Sequence, residues 1–229
     1  MTDISQHLAQ VQQRIIAAAK AANREPVEIK LLAISKTHPA DDIAAAAAAG
    51  QMAFGENYVQ SALPKMASLE ADYPDLEWHF IGAIQSNKTK DIASHFDWVH
   101  TVERLKIAQR LNGQRPEHLL PIQVCIQVNI SGEDSKAGIP REQVMALAEE
   151  MTHLHRLRLR GLMAIPAASS DITEQRQAFA ALRTLFTELN QHGLELDTLS
   201  MGMSNDLEAA VAEGSTLLRI GTAIFGARA

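Results

Sequence analysis

The 229-residue chain contains one cysteine, no long apolar run and no excess of basic residues. Because Cys125 is the only cysteine, an intrachain disulfide is excluded, and its place within PIQVCIQVNI indicates a small buried side chain. No segment approaches the roughly 18 uncharged apolar residues of a membrane span, and residues 1–10 lack the basic start and apolar stretch of a secretory signal. We therefore expect a reducing, cytoplasmic environment.

The formal net charge of −6 argues against a surface that binds nucleic acid or an anionic membrane. Nine histidines are present, but they do not form an HExxH motif or a Cys/His ligand set, so no metal site is predicted. The expected partners are small molecules or other proteins, with neither nucleic acid nor membrane among them.

Eight apolar segments typical of β-strands alternate with helical patterns along the chain. Before the first of them, Ile4, Leu8, Val11 and Ile15 recur at a helical spacing, which predicts an additional N-terminal helix. The strand candidates are LLAISK (31–36), QMAFG (51–55), EWHFIG (77–82), WVHTV (98–102), IQVCIQVNI (122–130), LRGLMAI (159–165), LDTLSMG (196–202) and TLLRIG (216–221).

Strands that alternate with helices favour a parallel sheet covered by helices, which is an α/β fold. Eight such units favour closure into a single (β/α)8 TIM barrel, although the same alternation also fits an open sheet. No linker or low-complexity segment divides the chain, so one domain over residues 1–229 is predicted.

Lys36 stands at the end of the first strand candidate, where barrel proteins build their active sites. Two interpretations are open at this point. A lysine at a strand end usually extends into solvent, but burial and cationic neighbours can also lower its pKa, so that the amine attacks a carbonyl and forms a Schiff base. The lysine alone does not distinguish them.

The last two strand candidates end in residues suited to an anion, and barrels often bind phosphate through the loops after strands seven and eight. These residues are Ser200, Gly202, Ser204, Gly221 and Thr222. Asn205 and Glu208 resemble a capping box, which predicts a helix N-terminus with unpaired N–H groups. For either loop taken alone, a role as turn and cap residues is also open, but two adjacent donor-rich loops in one barrel mouth favour an anion site.

Arg219 lies two residues before Gly221, hence on the same side of the strand. One role open to it is a partly buried ion pair. If a pyridine nitrogen lies opposite, the guanidinium donates a hydrogen bond to that nitrogen and keeps it unprotonated. Such a contact would weaken a pyridine cofactor as an electron sink.

Six motifs, in order along essentially the whole chain, resemble those of the pyridoxal 5'-phosphate homeostasis protein family. They are SKTHP (35–39), FGENYVQ (54–60), WHFIGAIQSNK (78–88), GLMAIP (161–166), SMGMSNDLEAA (200–210) and RIGTAIFGAR (219–228). The resemblance implies a fold type III barrel like the barrel domain of alanine racemase, without that enzyme's second, all-β domain. It also implies pyridoxal 5'-phosphate (PLP) as cofactor, and control of PLP supply instead of a defined reaction.

The resemblance further implies that Lys36 forms the Schiff base with PLP, that Arg219 faces the pyridine nitrogen and that Asn57 lies near the ring. By the same resemblance, the phosphate is surrounded by Ser200, Ser204, Gly221 and Thr222. It implies no catalytic residue and no metal ligand.

Three functions remain open from the sequence. The first is a monomeric PLP carrier that serves PLP-dependent apo-enzymes and exchanges with amino acids. The second is a weak PLP-dependent amino-acid racemase that uses Lys36 and a second base such as His79. His79 is either a satisfied core histidine or a polar wall of the pocket, and we favour the pocket wall slightly. The third is a barrel aldolase that uses Lys36 without a cofactor.

Overall fold

The structure is a computed structural model that describes residues 3–132 and 137–226. Eight parallel strands close into a barrel in chain order. They are β1 (Lys30–Ile34), β2 (Ala53–Glu56), β3 (Glu77–Phe80), β4 (Trp98–Val102), β5 (Ile122–Gln127), β6 (Leu157–Met163), β7 (Thr198–Ser200) and β8 (Leu217–Ile220). The predicted (β/α)8 barrel is confirmed, and an open sheet is excluded because β1 pairs with β8.

Nine α-helices are described, and α1 is the additional N-terminal helix that the sequence predicts. They are α1 (Asp3–Ala21), α2 (Ala40–Ala48), α3 (Val59–Leu69), α4 (Thr89–His95), α5 (Leu105–Gln114), α6 (Val144–Thr152), α7 (Ile172–Gln191), α8 (Leu207–Ala212) and α9 (Thr222–Phe225). Ala227 and Arg228 of the RIGTAIFGAR motif lie outside the described residues, and one domain over residues 1–229 stays a prediction.

The core has an outer layer and a lumen, because alternate residues of each strand point to opposite faces of the barrel. The outer layer joins the strands to the surrounding helices, including the buried face of α1. In the lumen, one apolar group contains Leu32, Ile34, Ala53 and Leu217, and the other contains Trp98, Cys125 and Met163. Burial raises the pKa of the Cys125 thiol to about 12, so this cysteine is a buried apolar side chain.

The first strand is shorter than the segment LLAISK suggests. It ends at Ile34, and Lys36 lies half-buried in the turn that follows. Because this turn follows the carboxyl end of β1, Lys36 lies at the barrel mouth, the end of the barrel where the strands have their carboxyl termini. Among the described residues, we find no helix that combines the length and the apolar character needed to cross a membrane.

Candidate functional site

The predicted site residues follow four neighbouring strands of the barrel. Because β7 pairs with β8, β8 with β1 and β1 with β2, the carboxyl ends of these strands lie side by side at the mouth. The residues at these ends are Ser200 and Ser204 from β7 and its loop, Arg219, Gly221 and Thr222 from β8 and its continuation, Lys36 after β1 and Asn57 after β2. The structure therefore brings all seven to one end of the barrel.

A buried ion pair between Glu56 and Lys65 fixes the turn that carries Lys36. Ser35 Oγ donates to Glu56 Oε1 over 2.7 Å, and Lys65 Nζ donates to the same carboxylate oxygen over 2.8 Å and to the Ser35 carbonyl over 2.9 Å. The Glu56 side chain is fully buried, and Lys65 satisfies its charge from helix α3. Sequence reasoning missed both residues, since neither lies in a recognisable spacing with Lys36.

Arg219 is buried at the top of the lumen and donates only to neutral acceptors. Its Nη1 donates to the Ser200 carbonyl over 2.6 Å and to Ser200 Oγ over 2.9 Å, and its Nη2 donates to the Ala164 carbonyl over 3.0 Å. Burial lowers the pKa of Arg219 to about 10, partly offset by the negative charge of Asp206, so the guanidinium stays protonated at neutral pH.

A guanidinium has five N–H bonds, and these contacts use three of them. Within residues 3–132 and 137–226, the Arg219 Nε–H and the second Nη2–H have no hydrogen-bond partner. The ion pair that the sequence left open for Arg219 is absent from this part of the chain, where no carboxylate accepts a hydrogen bond from it. A buried cation with two donors left can bind an acceptor that enters the mouth.

The loops after β7 and β8 form the side of the mouth that is rich in donors. The Gly221 backbone approaches β1 closely. A Cβ atom added at Gly221 would lie 3.3 Å from the Ile34 carbonyl oxygen, and glycine has no such atom. Thr222, which is exposed, begins helix α9, and Ser204 is half-buried in the loop before α8. This geometry suits an anion between the two loops.

The predicted capping box at Asn205 and Glu208 is wrong. Helix α8 begins at Leu207 with Asp206 as its N-cap residue, and the Asp206 side chain makes no capping hydrogen bond. The Glu208 carboxylate instead forms an ion pair with Arg14 of helix α1, 2.9 Å away. The chain turns one residue later than the motif suggests because Asp206 Oδ1 accepts from the Met203 N–H inside the loop.

Helix α1 braces both of these loops. Arg14 Nη2 donates to the Ser204 carbonyl over 3.1 Å, and the His7 ring nitrogen Nδ1 lies 3.0 Å from the Ile224 carbonyl in α9. The additional helix therefore contributes to the geometry of the site through these two contacts, although α1 does not follow the end of any barrel strand. Sequence reasoning assigned it no such role, because both contacts join distant parts of the chain.

Asn57 has a carbonyl oxygen, Oδ1, that is buried and has no hydrogen-bond partner in the described part of the chain. Its backbone is fixed by close packing on Gly82, where an added Cβ would lie 2.0 Å from the Asn57 carbonyl oxygen. A buried polar atom without a partner costs free energy unless a ligand or water satisfies it. Asn57 thus offers an acceptor beside the Lys36 turn, which separates it from the loops of β8 and β7.

A line of buried polar side chains crosses the lumen below Arg219. The His100 ring lies between Ser200 Oγ, 2.8 Å from its Nδ1, and the His79 ring, 2.8 Å from its Nε2. His79 Nε2 contacts the Glu77 carboxylate, which Lys30 Nζ approaches at 2.5 Å near the opposite end of the barrel. His79 is fully buried, so our interpretation of it as a polar wall of the pocket is wrong.

The charges along this line follow from burial and contact. Burial lowers the pKa of His79 to about 4 and, together with the charges of His79 and Arg219, holds the pKa of His100 well below its usual value. Burial would raise the pKa of Glu77, but the hydrogen bonds and charges of His79 and Lys30 outweigh it and lower this pKa to about 2. At neutral pH both rings are therefore neutral and Glu77 is ionised.

The residues of the mouth fit a flat, anionic small molecule such as PLP. An amine follows β1, a guanidinium with two unused N–H bonds lies near the end of β8, a buried amide oxygen without a described partner follows β2, and two donor-rich loops lie beside them. Among the residues that the structure describes, no group of three or more His, Cys, Asp or Glu side chains is placed to hold a metal ion.

Comparison with known proteins assigns the chain to a class. The family described as "Alanine racemase, N-terminal domain" matches residues 6–229. Alanine racemase from Corynebacterium glutamicum has the same fold with a TM-score of 0.71 at 15% identity, covering 100% of this chain and 62% of that chain. The fold and the mouth thus define a barrel of the alanine racemase type.

Closer relatives narrow this class. The pyridoxal phosphate homeostasis protein of Pseudomonas aeruginosa is 59% identical over 228 residues, which covers 100% of this chain and 97% of that protein. PipY of Synechococcus elongatus PCC7942, solved with PLP bound, is 39% identical with a TM-score of 0.85, covering 97% of this chain and 100% of that chain. The chain belongs to the pyridoxal phosphate homeostasis protein family.

We expect the free energy of unfolding of the ligand-free protein to fall as the pH decreases from about 6.5 towards 4. The pKa of His79 is lowered from 6.5 to about 4 in the folded state, and that of His100 is lowered as well. The unfolded chain therefore binds more protons in this range, so the stabilisation is complete above pH 6.5 and is lost as the pH falls. Each such proton contributes a slope of about 1.4 kcal/mol per pH unit.

Urea denaturation at several pH values measures this slope, and replacing one lumen histidine should reduce it. His100→Asn is expected to flatten the pH dependence relative to the wild type, whatever its effect on stability at pH 8. His118 is exposed, so His118→Asn removes no buried ring and serves as the control. An unchanged slope in His100→Asn would contradict the assignment of a neutral buried ring.

Gly82→Ala is expected to destabilise the protein by about 1–3 kcal/mol, because the new methyl group overlaps the Asn57 carbonyl oxygen and the loop must shift. Gly113→Ala in helix α5 is the matched control, since its Cβ meets no atom within 4 Å in the described structure outside the helix backbone and its neighbours. The control should stabilise by roughly 0.5–1 kcal/mol. Chemical denaturation of both variants measures the difference, and equal effects would refute the close packing of Asn57 on Gly82.

Proposed function

We propose that this protein binds PLP at the barrel mouth, covalently through Lys36, and serves PLP homeostasis without catalysing a defined reaction. One observation carries the proposal: the buried Arg219 guanidinium has two N–H bonds without a described partner in the same mouth as a half-buried lysine. The relatives named pyridoxal phosphate homeostasis protein and the PLP-bound PipY structure support it.

In this proposal, Lys36 Nζ takes the cofactor aldehyde and Arg219 donates to the pyridine nitrogen. A guanidinium does not release its proton near neutral pH, so the nitrogen opposite it accepts a hydrogen bond and stays unprotonated. Asn57 Oδ1, which has no described partner, accepts a hydrogen bond from the 3-hydroxyl group of the ring. The ion pair of Glu56 and Lys65 keeps the Lys36 turn in place through Ser35.

The phosphate is bound by Ser204, Thr222 and the backbone at Gly221. Hydroxyl and backbone N–H groups of the two loops donate to the phosphate oxygens, and Arg14 holds the Ser204 carbonyl away from them. Ser200 does not bind the phosphate in this proposal, unlike Ser204, Gly221 and Thr222. Its hydroxyl oxygen already accepts from Arg219 and lies 2.8 Å from the His100 ring, so its contribution is to hold Arg219.

Binding without turnover follows from the same contacts. PLP supplies an aldehyde that condenses with amines and a ring that withdraws electrons, and an unprotonated ring nitrogen makes the ring a weaker electron sink. A racemase also needs a second acid or base beside the substrate Cα. His79, the candidate that we considered, is fully buried with both ring nitrogens in hydrogen-bond contact, so it supports no such role.

We further propose that the protein acts in the cytoplasm as a monomer and that the open mouth exchanges PLP with PLP-dependent apo-enzymes or with amino acids. Exchange requires that an incoming amine reach the cofactor carbon attached to Lys36. Lys36 follows the strand end and is half-buried, which supports access from the mouth.

Sodium borohydride reduction of the PLP-loaded protein is expected to fix a phosphopyridoxyl group on Lys36, identified by mass spectrometry of the peptide. The loaded protein should be yellow and lose its visible band on reduction. Lys36→Ala should lose both the band and the adduct. Lys20→Ala, at an exposed lysine of α1, should keep both.

One outcome of this experiment, and one outcome of a second experiment that incubates the PLP-loaded protein with alanine in deuterium oxide, would contradict the proposal. A protein that stays colourless with added PLP supports an aldolase that uses Lys36 alone. Solvent deuterium entering the Cα position of alanine, with turnover lost in Lys36→Ala, supports the racemase.

Thr222→Val is expected to weaken PLP binding roughly tenfold through loss of one hydrogen bond to a charged group, with no effect on the binding of pyridoxal, which lacks the phosphate. Titration of both compounds, followed by visible absorbance, measures the two affinities. Thr184→Val on the exposed side of helix α7 serves as control. Equal weakening for PLP and pyridoxal would show that Thr222 does not contact the phosphate.

A further inference from the structure

The polar line through the lumen joins the two ends of the barrel by consecutive contacts. From the far end it runs from Lys30 and Glu77 through His79 and His100 to Ser200, and it ends at Arg219. His79, His100 and the Ser200 side chain are fully buried, so water does not compete for these hydrogen bonds. We call these six residues the lumen chain.

The ionised carboxylate fixes the direction of every hydrogen bond in the lumen chain. Glu77 only accepts, so His79 Nε2 carries the proton and donates to it. A neutral ring has one N–H, so His79 Nδ1 accepts, and His100 Nε2–H donates to it over 2.8 Å.

The same reasoning extends to the mouth. With its proton on Nε2, His100 accepts at Nδ1, and the donor there is the Ser200 hydroxyl, 2.8 Å away. The Ser200 hydroxyl proton is thereby used in the hydrogen bond to His100. The hydroxyl oxygen then accepts a hydrogen bond from Arg219 Nη1 over 2.9 Å. If His100 carried its proton on Nδ1 instead, the ring would donate to Ser200, and the serine hydroxyl would be free to turn its proton towards the guanidinium.

Among the residues that the structure describes, no other charged group forms a hydrogen bond with either ring. Trp98 stacks on His79 at 5.3 Å between ring centroids, and the Arg160 guanidinium lies 4.9 Å from the Trp98 ring centroid. Cys125 and Met163 pack with Trp98 in the lumen. Lys30 at one end and Arg219 at the other both repel a further proton.

Arg219 depends on this arrangement because its described acceptors are all neutral. Two of its three hydrogen bonds go to Ser200, and the third goes to the Ala164 carbonyl, so the serine sets the plane of the guanidinium. That plane decides where the two remaining N–H bonds point. A rotation of the serine hydroxyl removes one acceptor and redirects them.

We propose that His79 and His100 are positioning residues that act through Ser200 to orient the Arg219 guanidinium towards the ring nitrogen of bound PLP. The inference rests on the proposed function, which supplies the ligand that Arg219 meets. It adds two histidines that touch neither substrate nor cofactor. The carboxylate of Glu77, on the far side of the lumen, gives the chain its direction.

Nitrogen-15 NMR of the ligand-free wild type, labelled at histidine, tests the direction of the chain without PLP. Both rings are expected to be neutral, with the proton on Nε2, from about pH 6 to 8. A His100 ring protonated on Nδ1 overturns the proposal, and so does a charged ring in this range. This measurement needs no variant and does not depend on whether PLP binds.

The second experiment uses PLP labelled with nitrogen-15 in the ring and compares three full-length proteins. In the wild type the ring nitrogen should have the chemical shift of an unprotonated, hydrogen-bonded pyridine. His100→Phe removes both the acceptor for Ser200 and the donor to His79, so the shift should change and the affinity for PLP should fall roughly tenfold. His100→Gln offers an amide N–H and a carbonyl in series and should restore the shift at least partly.

The outcomes separate the two proposals. A wild type that takes up no PLP overturns the proposed function, and the positioning role with it. A wild type that binds PLP on Lys36, together with a folded His100→Phe that keeps the wild-type ring shift and affinity, overturns only the positioning role. If His100→Phe does not fold, Ser200→Ala replaces it, because that variant removes the side-chain acceptor of Arg219 and leaves both rings in place. An unchanged chemical shift of the PLP ring nitrogen in Ser200→Ala likewise overturns only the positioning role.

Discussion

The barrel mouth depends on a buried positive charge, that of Arg219, which no described carboxylate neutralises by direct contact. Arg219 lies at the top of the lumen, where burial lowers its pKa to about 10, and its described hydrogen bonds all go to neutral oxygens. Burying a charge in this way costs several kcal/mol unless its donors are satisfied. Two strands supply the acceptors, since Ser200 ends β7 and Ala164 follows β6. The fold therefore holds a cation ready at the mouth instead of cancelling it inside the barrel.

This constraint explains why the lumen is partly polar. Most barrel interiors are filled with branched apolar side chains, and here Leu32, Ile34 and Leu217 fill one side in that way. The other side contains two histidine rings beside Trp98, and one of them, His79, stacks on it. Neutral rings suit this place, because each donates one hydrogen bond and accepts another without adding a second positive charge beside Arg219. An apolar replacement would fill the same volume but would leave the Ser200 hydroxyl without its ring partner.

The sequence predicted the parts of the molecule that local patterns encode. All eight strands lie where apolar segments indicated them. The residues of the mouth could be named because barrel topology brings strand ends together. The contacts behind the mouth could not be predicted. Each of these contacts joins two elements, and no spacing along the chain shows how those elements are placed relative to each other. The contacts are those of Glu56 with Lys65, Arg14 with Ser204, and His79 with His100.

The failed capping box shows the same limit on a small scale. Asn205 and Glu208 have the right spacing, but Glu208 forms an ion pair with Arg14 of the distant helix α1, and a hydrogen bond inside the loop places Asp206 at the N-cap position instead of Asn205. The reading of His79 failed for a related reason. A histidine near a strand end can point towards the mouth or into the lumen. Only the register of β3 against β4 directs this ring towards His100.

The bracing of the mouth by helix α1 has a consequence for how the protein reaches its folded state. His7 and Ile224 are 217 residues apart, and Arg14 and Ser204 are 190 residues apart, so these contacts have nearly the largest sequence separation that the chain allows. During synthesis, α1 leaves the ribosome first and its partners α8 and α9 leave last. Contacts of such separation form late, because the intervening chain must be ordered before they stabilise it. The loops after β7 and β8 are thus completed in the final stage of folding, and a nascent chain that still lacks β8 has neither Arg219 nor the closed barrel.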